Sequence, residues 1–361
     1  MEKTERRHDI DWLRVIAIGL LLLYHVAIGF QPWGTMIGFI TYEDSWSSLW
    51  VVMSLLNVWR IPLLFFVSGM GVYFAIQRRN WKQLVGERTR RILFPFLGGT
   101  LLIVPLHMYL WQDYYHIPLS FSPHPGHLWF LGNIFVYVVV LSPVFFYMKN
   151  HRDGSLVNSM QRVLSHPLGL LPVAMAFVAE AWLVSPYPFE LYAMTGHGFF
   201  LGLLAFFFGF CFALSGPPFW QMLGRWHWWF FAVGIALYTL RLAHFQGGAP
   251  HYLVAVESVS WVVTMLGFGH QYLNRPSKAL RYLSQAAYPV YIIHMIFLYL
   301  GSWLLFPLDV ASPLQFGLVL LFTGIGCFAT YEFIIRRVNF LRPLFGLKTK
   351  KVVTKKFSLS S

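Results

Sequence analysis

Ten separate runs of about 20 apolar residues set the limits on what this chain can fold into. They lie at roughly 12–31, 50–76, 93–112, 126–148, 167–186, 197–215, 225–243, 251–273, 286–307 and 312–335. A helix rises about 1.5 Å per residue, so each run is long enough to cross the hydrocarbon core of a bilayer. The expected fold class is all-α: a polytopic transmembrane helix bundle of about ten helices, with both termini cytoplasmic. Breaks at Pro186–Pro188 and near Pro217–Pro218 make the fifth span and the start of the seventh the hardest to bound.

Composition supports one membrane domain and not a soluble domain with an anchor. Of the 361 residues, 57% are hydrophobic and only 11% charged, against about 25% charged in soluble domains. Phe, Trp and Tyr reach 19%, and aromatic residues collect where helices meet headgroups.

The net charge of +13 does not mark a nucleic-acid binder, because the basic residues form no single patch. They alternate between loops. With the N-terminus inside, the inner segments hold Lys3, Arg6 and Arg7; then Arg78, Arg79, Lys82, Arg88, Arg90 and Arg91; then Lys149, Arg152 and Arg162; then Arg225; then Arg275, Lys278 and Arg281. The C-terminal segment adds Arg336, Arg337, Arg342, Lys348, Lys350, Lys351, Lys355 and Lys356. The outer loops hold none of the 27 basic residues. This is the positive-inside pattern, and an odd number of spans would break it. Arg14, Arg60 and Arg241 fall inside or at the end of spans. The basic tail at 348–361 reads as a disordered contact with anionic lipid.

Arg6-Arg7 before an apolar run resembles the start of a signal peptide. Asp11 and Arg14 interrupt that run, and no small-residue cleavage site follows, so cleavage is not expected. Cys211 and Cys327 lie inside apolar runs and read as packing residues, with no disulfide framework.

Charges at bilayer depth cost about 2.5–3.5 kcal/mol on insertion scales, so each one is a candidate for function. These are Asp11, Arg14, His25, Arg60, Glu180, Arg241, Glu257, His294 and Glu332. In the first span Asp11 and Arg14 are spaced i,i+3 and can pair. From Arg14 to His25 is eleven residues, three turns plus about 20°, so both share a face about 16 Å apart along the axis. Two readings stand: a snorkelling arginine with a hydrogen-bonded histidine, or a polar stripe whose histidine is a general base. In the second span Pro62 frees a backbone carbonyl, and Ser68 and Gly69 permit close helix packing. Arg60 has no such bland explanation.

Arg88 and Arg91, again i,i+3, end a basic loop. They can bind phosphate in bidentate fashion or serve only as a topology signal. His127, Trp129 and Phe130 open the fourth span, with Trp129 placed as an interfacial aromatic. His124 and His127 have no evident third partner for a metal. Tyr288, Tyr291 and His294 form a stripe at steps of three.

Taken in order, Asp11-x-x-Arg14, Arg14-x10-His25, Phe65-Phe66-x-Ser68-Gly69, Arg88-x-x-Arg91 with Pro95, His127-Leu-Trp129-Phe130 and Tyr288-x-x-Tyr291-x-x-His294 resemble the acyltransferase 3 family of integral membrane O-acyltransferases. Leu64 stands where the family often has an aromatic residue. The closing stretch from Glu332 through Arg336, Arg337 and Arg342 to Gly346 looks like the end of the glucan-modifying, succinyl-transferring branch. The resemblance makes 1–347 an acyltransferase 3-like transmembrane domain. It implies transfer of an acetyl or succinyl group from cytoplasmic acyl-CoA, a donor substrate and not a bound cofactor, to a hydroxyl of a glycan, glycolipid or other envelope acceptor. It implies His25 as general base, with Arg14 and Asp11 beside it in the catalytic group. Arg88, Arg91 and Arg14 would hold the CoA phosphates, and Arg60, Ser68, His127, Trp129, Tyr291 and His294 would line the substrate site. No metal is implied. The expected location is the plasma or inner membrane. The lipid bilayer, acyl-CoA and the hydroxyl acceptor are the partners, and the sequence carries no signal for an oligomeric state.

A secondary transporter or exporter of a small metabolite or glycan precursor competes with this reading, since ten spans with buried charges also fit that class. A transporter would show an internal repeat or paired broken helices, and none is evident. A non-catalytic scaffold would leave Arg14, His25 and His294 without a task.

Overall fold

The computed structural model describes residues 7–245 and 248–349. Lys3, Arg6 and the tail from Lys350 onward lie outside the described residues. Among the described residues thirteen α-helices follow in order: α1 (His8–Ile28), α2 (Trp50–Ile76), α3 (Trp81–Arg88), α4 (Phe94–Gly98), α5 (Val104–Tyr114), α6 (Trp129–Asn150), α7 (Ser155–Leu164), α8 (Leu171–Val184), α9 (Gly196–Leu214), α10 (Pro217–Phe245), α11 (His251–Phe268), α12 (Lys278–Leu305) and α13 (Ser312–Thr330). There is no strand among the described residues. Among the described residues ten helical stretches are long and apolar enough to cross a membrane, matching the ten expected runs one for one. Apolar side chains such as Trp229, Leu321 and Ile325 stand exposed on α10 and α13, while α2, α9, α11 and α12 are the most buried spans.

The ends differ from the sequence reading for physical reasons. Polar first turns at membrane interfaces are helical but too hydrophilic to register as apolar runs. So α1 begins at His8, α10 at Pro217 and α12 at Lys278. Arg225, expected in an inner loop, lies within α10. Gly216 takes a left-handed conformation, φ 70°, and Pro217 then starts the helix with φ already fixed. The loop expected at 77–92 is mostly helix. Asn80 and Gln83 form a capping box that starts α3, and a π turn at 89–93 joins it to α4. A second π turn, 99–103, leads into α5. The loop at 149–166 contains α7, a short helix with Val157 and Leu164 buried.

Two devices from the sequence hold α2 at the centre. Pro62 has no N–H, which leaves the Val58 carbonyl without its helical donor. Ser258 Oγ of α11 donates to that carbonyl at 2.8 Å, and the Tyr192 hydroxyl from the 185–195 loop does so at 3.2 Å. Gly69 of α2 and Gly209 of α9 bring the two backbones together. A Cβ at Gly69 would collide with the Phe206 carbonyl, and one at Gly209 with the Phe66 carbonyl.

Most charges at membrane depth find partners inside the fold. Arg241 of α10 makes a bidentate bond to Glu257 of α11 at 2.8 and 3.0 Å and donates to the Ser54 carbonyl at 3.0 Å. Glu190 adds a second carboxylate at 3.5 Å. Glu180 pairs with His197 at 3.0 Å. Glu332 pairs with Arg336 at 2.7 Å and accepts from Tyr282. Cys211 and Cys327 are free and buried, as expected of packing residues.

Candidate active site

His25, near the C-terminal end of α1, lies against α12. Its Nδ1 is 2.8 Å from Nε2 of His294, and the two rings stack at 5.1 Å with only 8° between their planes. His294 is fully buried, and its Nδ1 is 2.7 Å from the Tyr291 carbonyl. A carbonyl only accepts, so His294 Nδ1 carries the hydrogen. In the neutral ring His294 Nε2 is then the acceptor. His25 Nδ1 must therefore donate to it, which leaves His25 Nε2 with a free lone pair. The network assigns these tautomers. The result is a histidine whose Nε2 is able to accept a proton, oriented by a second histidine that is itself fixed by a backbone carbonyl.

Two more histidines complete the cluster. His127 Nε2 donates to the Ile292 carbonyl at 3.1 Å, while its Nδ1 is buried without a partner. Its ring meets that of His294 edge-on at 5.0 Å. Tyr291 donates its hydroxyl to the His127 carbonyl at 2.5 Å. His107 of α5 donates from Nδ1 to the Ile103 carbonyl at 3.2 Å, and its ring lies 5.6 Å from that of His127. Sequence reading passes over His107, although a histidine inside an apolar run is the same signal that singles out His25. Among the described residues no group of three or more His, Cys, Asp or Glu is placed to hold a metal ion.

His25 opens on a cavity of about 1030 Å³. Arg60, His107, His127, Trp129 and Tyr291 share its walls, together with Tyr24, Asn57, Phe130 and many apolar side chains. The loops at 29–49 and 185–195 close it on one side through Trp33, Phe39, Glu190 and Tyr192. These are the segments without lysine or arginine, so the cavity belongs to the end of the bundle opposite the basic loops. Burial pushes the Glu190 carboxyl above its ordinary range.

Three expected positions need correction. Trp129 is not interfacial: it is 7% exposed and packs edge-on against Phe65. Ser68 is not a cavity wall. Its hydroxyl donates to the Leu64 carbonyl one turn back, at 2.7 Å. The Tyr288 stripe divides between the two ends of the bundle. Tyr291 lines the cavity and His294 is buried behind His25 instead of lining it, whereas Tyr288 packs beside Gly346, with its buried hydroxyl unpartnered.

The basic end holds the other motif. Arg14 pairs with Asp11 at 3.3 Å and lies beside Gly71 of α2, where a Cβ would be 3.8 Å from its Nη2. Arg14 is close enough to Arg88 to act on it electrostatically. Arg88 and Arg91 do not form the simple pair expected. The π turn begins just after Arg88 and contains Arg91, and Glu87 holds Arg91 at 3.3 Å and Arg79 at 3.0 Å. Arg88 keeps a buried Nε without a partner, so of the two it is the better placed to take a new anion.

An integral helical bundle with a histidine whose free ring nitrogen faces a large cavity, and arginines gathered at the opposite end, has a layout compatible with a membrane-embedded group-transfer enzyme. The model of the acyltransferase 3 family, described as an acyltransferase domain, matches residues 7–332. The chain belongs to that family, and it is a multi-pass membrane acyltransferase. No curated protein and no solved structure matches the chain.

Proposed function

We propose that the enzyme moves an acetyl or succinyl group from acyl-CoA to a hydroxyl of a glycan, glycolipid or other envelope acceptor. The observation that carries this reading is the His25–His294–Tyr291 carbonyl chain opening on the cavity. The donor side is the basic end. CoA phosphates need cations, and Arg14, Arg88 and Arg91 are there. The acceptor side is the cavity. Basic loops and both termini lie in the cytoplasm of a cell whose inner or plasma membrane the bundle spans.

A thioester is already activated, so the enzyme has to supply a base, positioning and charge stabilisation. His25 Nε2 removes the acceptor's hydroxyl proton as its oxygen attacks the thioester carbon. The resulting imidazolium is steadied by His294. The C–S bond then breaks, the electron pair leaves on sulfur, and His25 returns its proton to give CoA thiol.

The test is to incubate membranes containing the protein with radiolabelled acetyl-CoA or succinyl-CoA, with and without an envelope glycan fraction. Label reaching the glycan from one donor supports the reading and names the donor. Absence of both transfer and CoA binding counts against it.

A further inference from the structure

Arg60 of α2 is 2% exposed, in the middle of a span. A guanidinium buried that deeply is ordinarily matched by a carboxylate. Among the described residues none lies within ion-pair distance of it. Its Nη1 donates one long bond, 3.5 Å, to the Leu20 carbonyl. Its charged centre lies 4.0 Å over the ring of Tyr24. Its Nε is buried and has no partner. One cation–π contact and one stretched hydrogen bond do not offset the desolvation of a full charge. The site is incomplete without a negative charge.

Position indicates which charge. Arg60 lines the same cavity as His25. Its contacts on α1 are Tyr24 and Leu20, one and five residues before His25, so up to about 7.5 Å nearer the Arg14 end. The acceptor hydroxyl is activated at His25, and the thioester comes from the Arg14 end. The carbonyl under attack therefore sits between those levels, beside Arg60. Of the acidic residues in the loops at 29–49 and 185–195, only Glu190 lines the cavity, and it lies 3.5 Å from Arg241.

We propose that Arg60 is the oxyanion-stabilising residue; this rests on the acyl-transfer reading above. As the acceptor oxygen bonds to the thioester carbon and His25 takes its proton, the carbonyl π pair moves onto oxygen. The negative charge forms against the Arg60 guanidinium. When that pair returns, the C–S bond breaks and His25 protonates the departing thiolate. Atoms and protons balance with no further reactant. A preorganised donor at the place where charge develops acts most strongly in a dry, low-dielectric site.

The test compares two unreactive CoA ligands by calorimetry on the full chain in nanodiscs: S-ethyl-CoA, which lacks the carbonyl, and a CoA thioether carrying a phosphonate in its place. Wild type should prefer the phosphonate at least tenfold, and Arg60→Met and Arg60→Gln should lose that preference while still binding S-ethyl-CoA. The same variants should lower kcat about 10²- to 10³-fold, the range for removing one oxyanion donor, with donor KM little changed. Wild type without any preference for the phosphonate overturns the proposal even if the variants do not fold. S-ethyl-CoA failing to bind wild type overturns the acyl-CoA reading as well, and is distinguishable from a loss of anion preference alone.

Discussion

Arg241 and Arg60 are both buried at membrane depth, 0% and 2% exposed. Arg241 is held by Glu257 through two hydrogen bonds, by the Ser54 carbonyl, and by Glu190 at longer range. Arg60 has an aromatic face, one long carbonyl bond and an idle Nε. Burial alone does not separate a structural charge from a working one. The partners do: a cation matched by carboxylates is committed to holding α10, α11 and the 185–195 loop together. An unmatched cation on a cavity wall is available to a reacting group.

The largest effect is expected at Arg241. Arg241→Met leaves Glu257 buried without its counter-charge and should cost about 3–5 kcal/mol, read as a large fall in the thermal midpoint in detergent. Replacing both partners, Arg241→Met with Glu257→Met, should recover much of it, because apolar pairs often substitute for buried ion pairs. Arg60→Met should leave the midpoint in place and remove activity instead. Equal destabilisation by the two arginine substitutions would end the distinction.

His294→Ala sharpens the same point for a neutral group. His25 remains but loses the partner that fixes its tautomer. A kcat loss of about tenfold to hundredfold is expected, the range for residues that orient a functional histidine. His294→Gln, which can still accept from His25 Nδ1, should restore part of it. At the donor end, Arg88→Ala should raise acyl-CoA KM about tenfold, the worth of one charge-assisted hydrogen bond. Arg91→Ala should do less, because Glu87 already engages Arg91; steady-state kinetics on the two single variants decides it. The smallest effect belongs to Ser258→Ala, which removes one donor from the Val58 carbonyl while Tyr192 remains. About 1 kcal/mol of stability is expected, with transfer unchanged.

The ten spans are legible in the sequence because hydrocarbon imposes length and apolarity on every one of them. Their polar first turns are not, because an interface tolerates charge in a helix. Pro62, Gly69, Arg60 and the Arg14–His25 spacing also announce themselves, each as a residue that is costly or special at that depth. What stays hidden is pairing between distant segments. Nothing near His25 says that its Nδ1 meets His294, 269 positions away, or that Arg241 has a carboxylate and Arg60 does not. The π turn at 89–93 is hidden too. A spacing of three implies a shared face only while the helix stays α, and the wider turn leaves Arg91 to Glu87.

The most direct test of the account is acyl transfer by His25→Ala beside wild type, at matched insertion and matched thermal midpoint, with labelled donor and a hydroxyl acceptor. A loss of about 10²- to 10⁴-fold is expected, the contribution of a positioned general base, with S-ethyl-CoA binding retained. Transfer at the wild-type rate in a correctly inserted His25→Ala protein would contradict it.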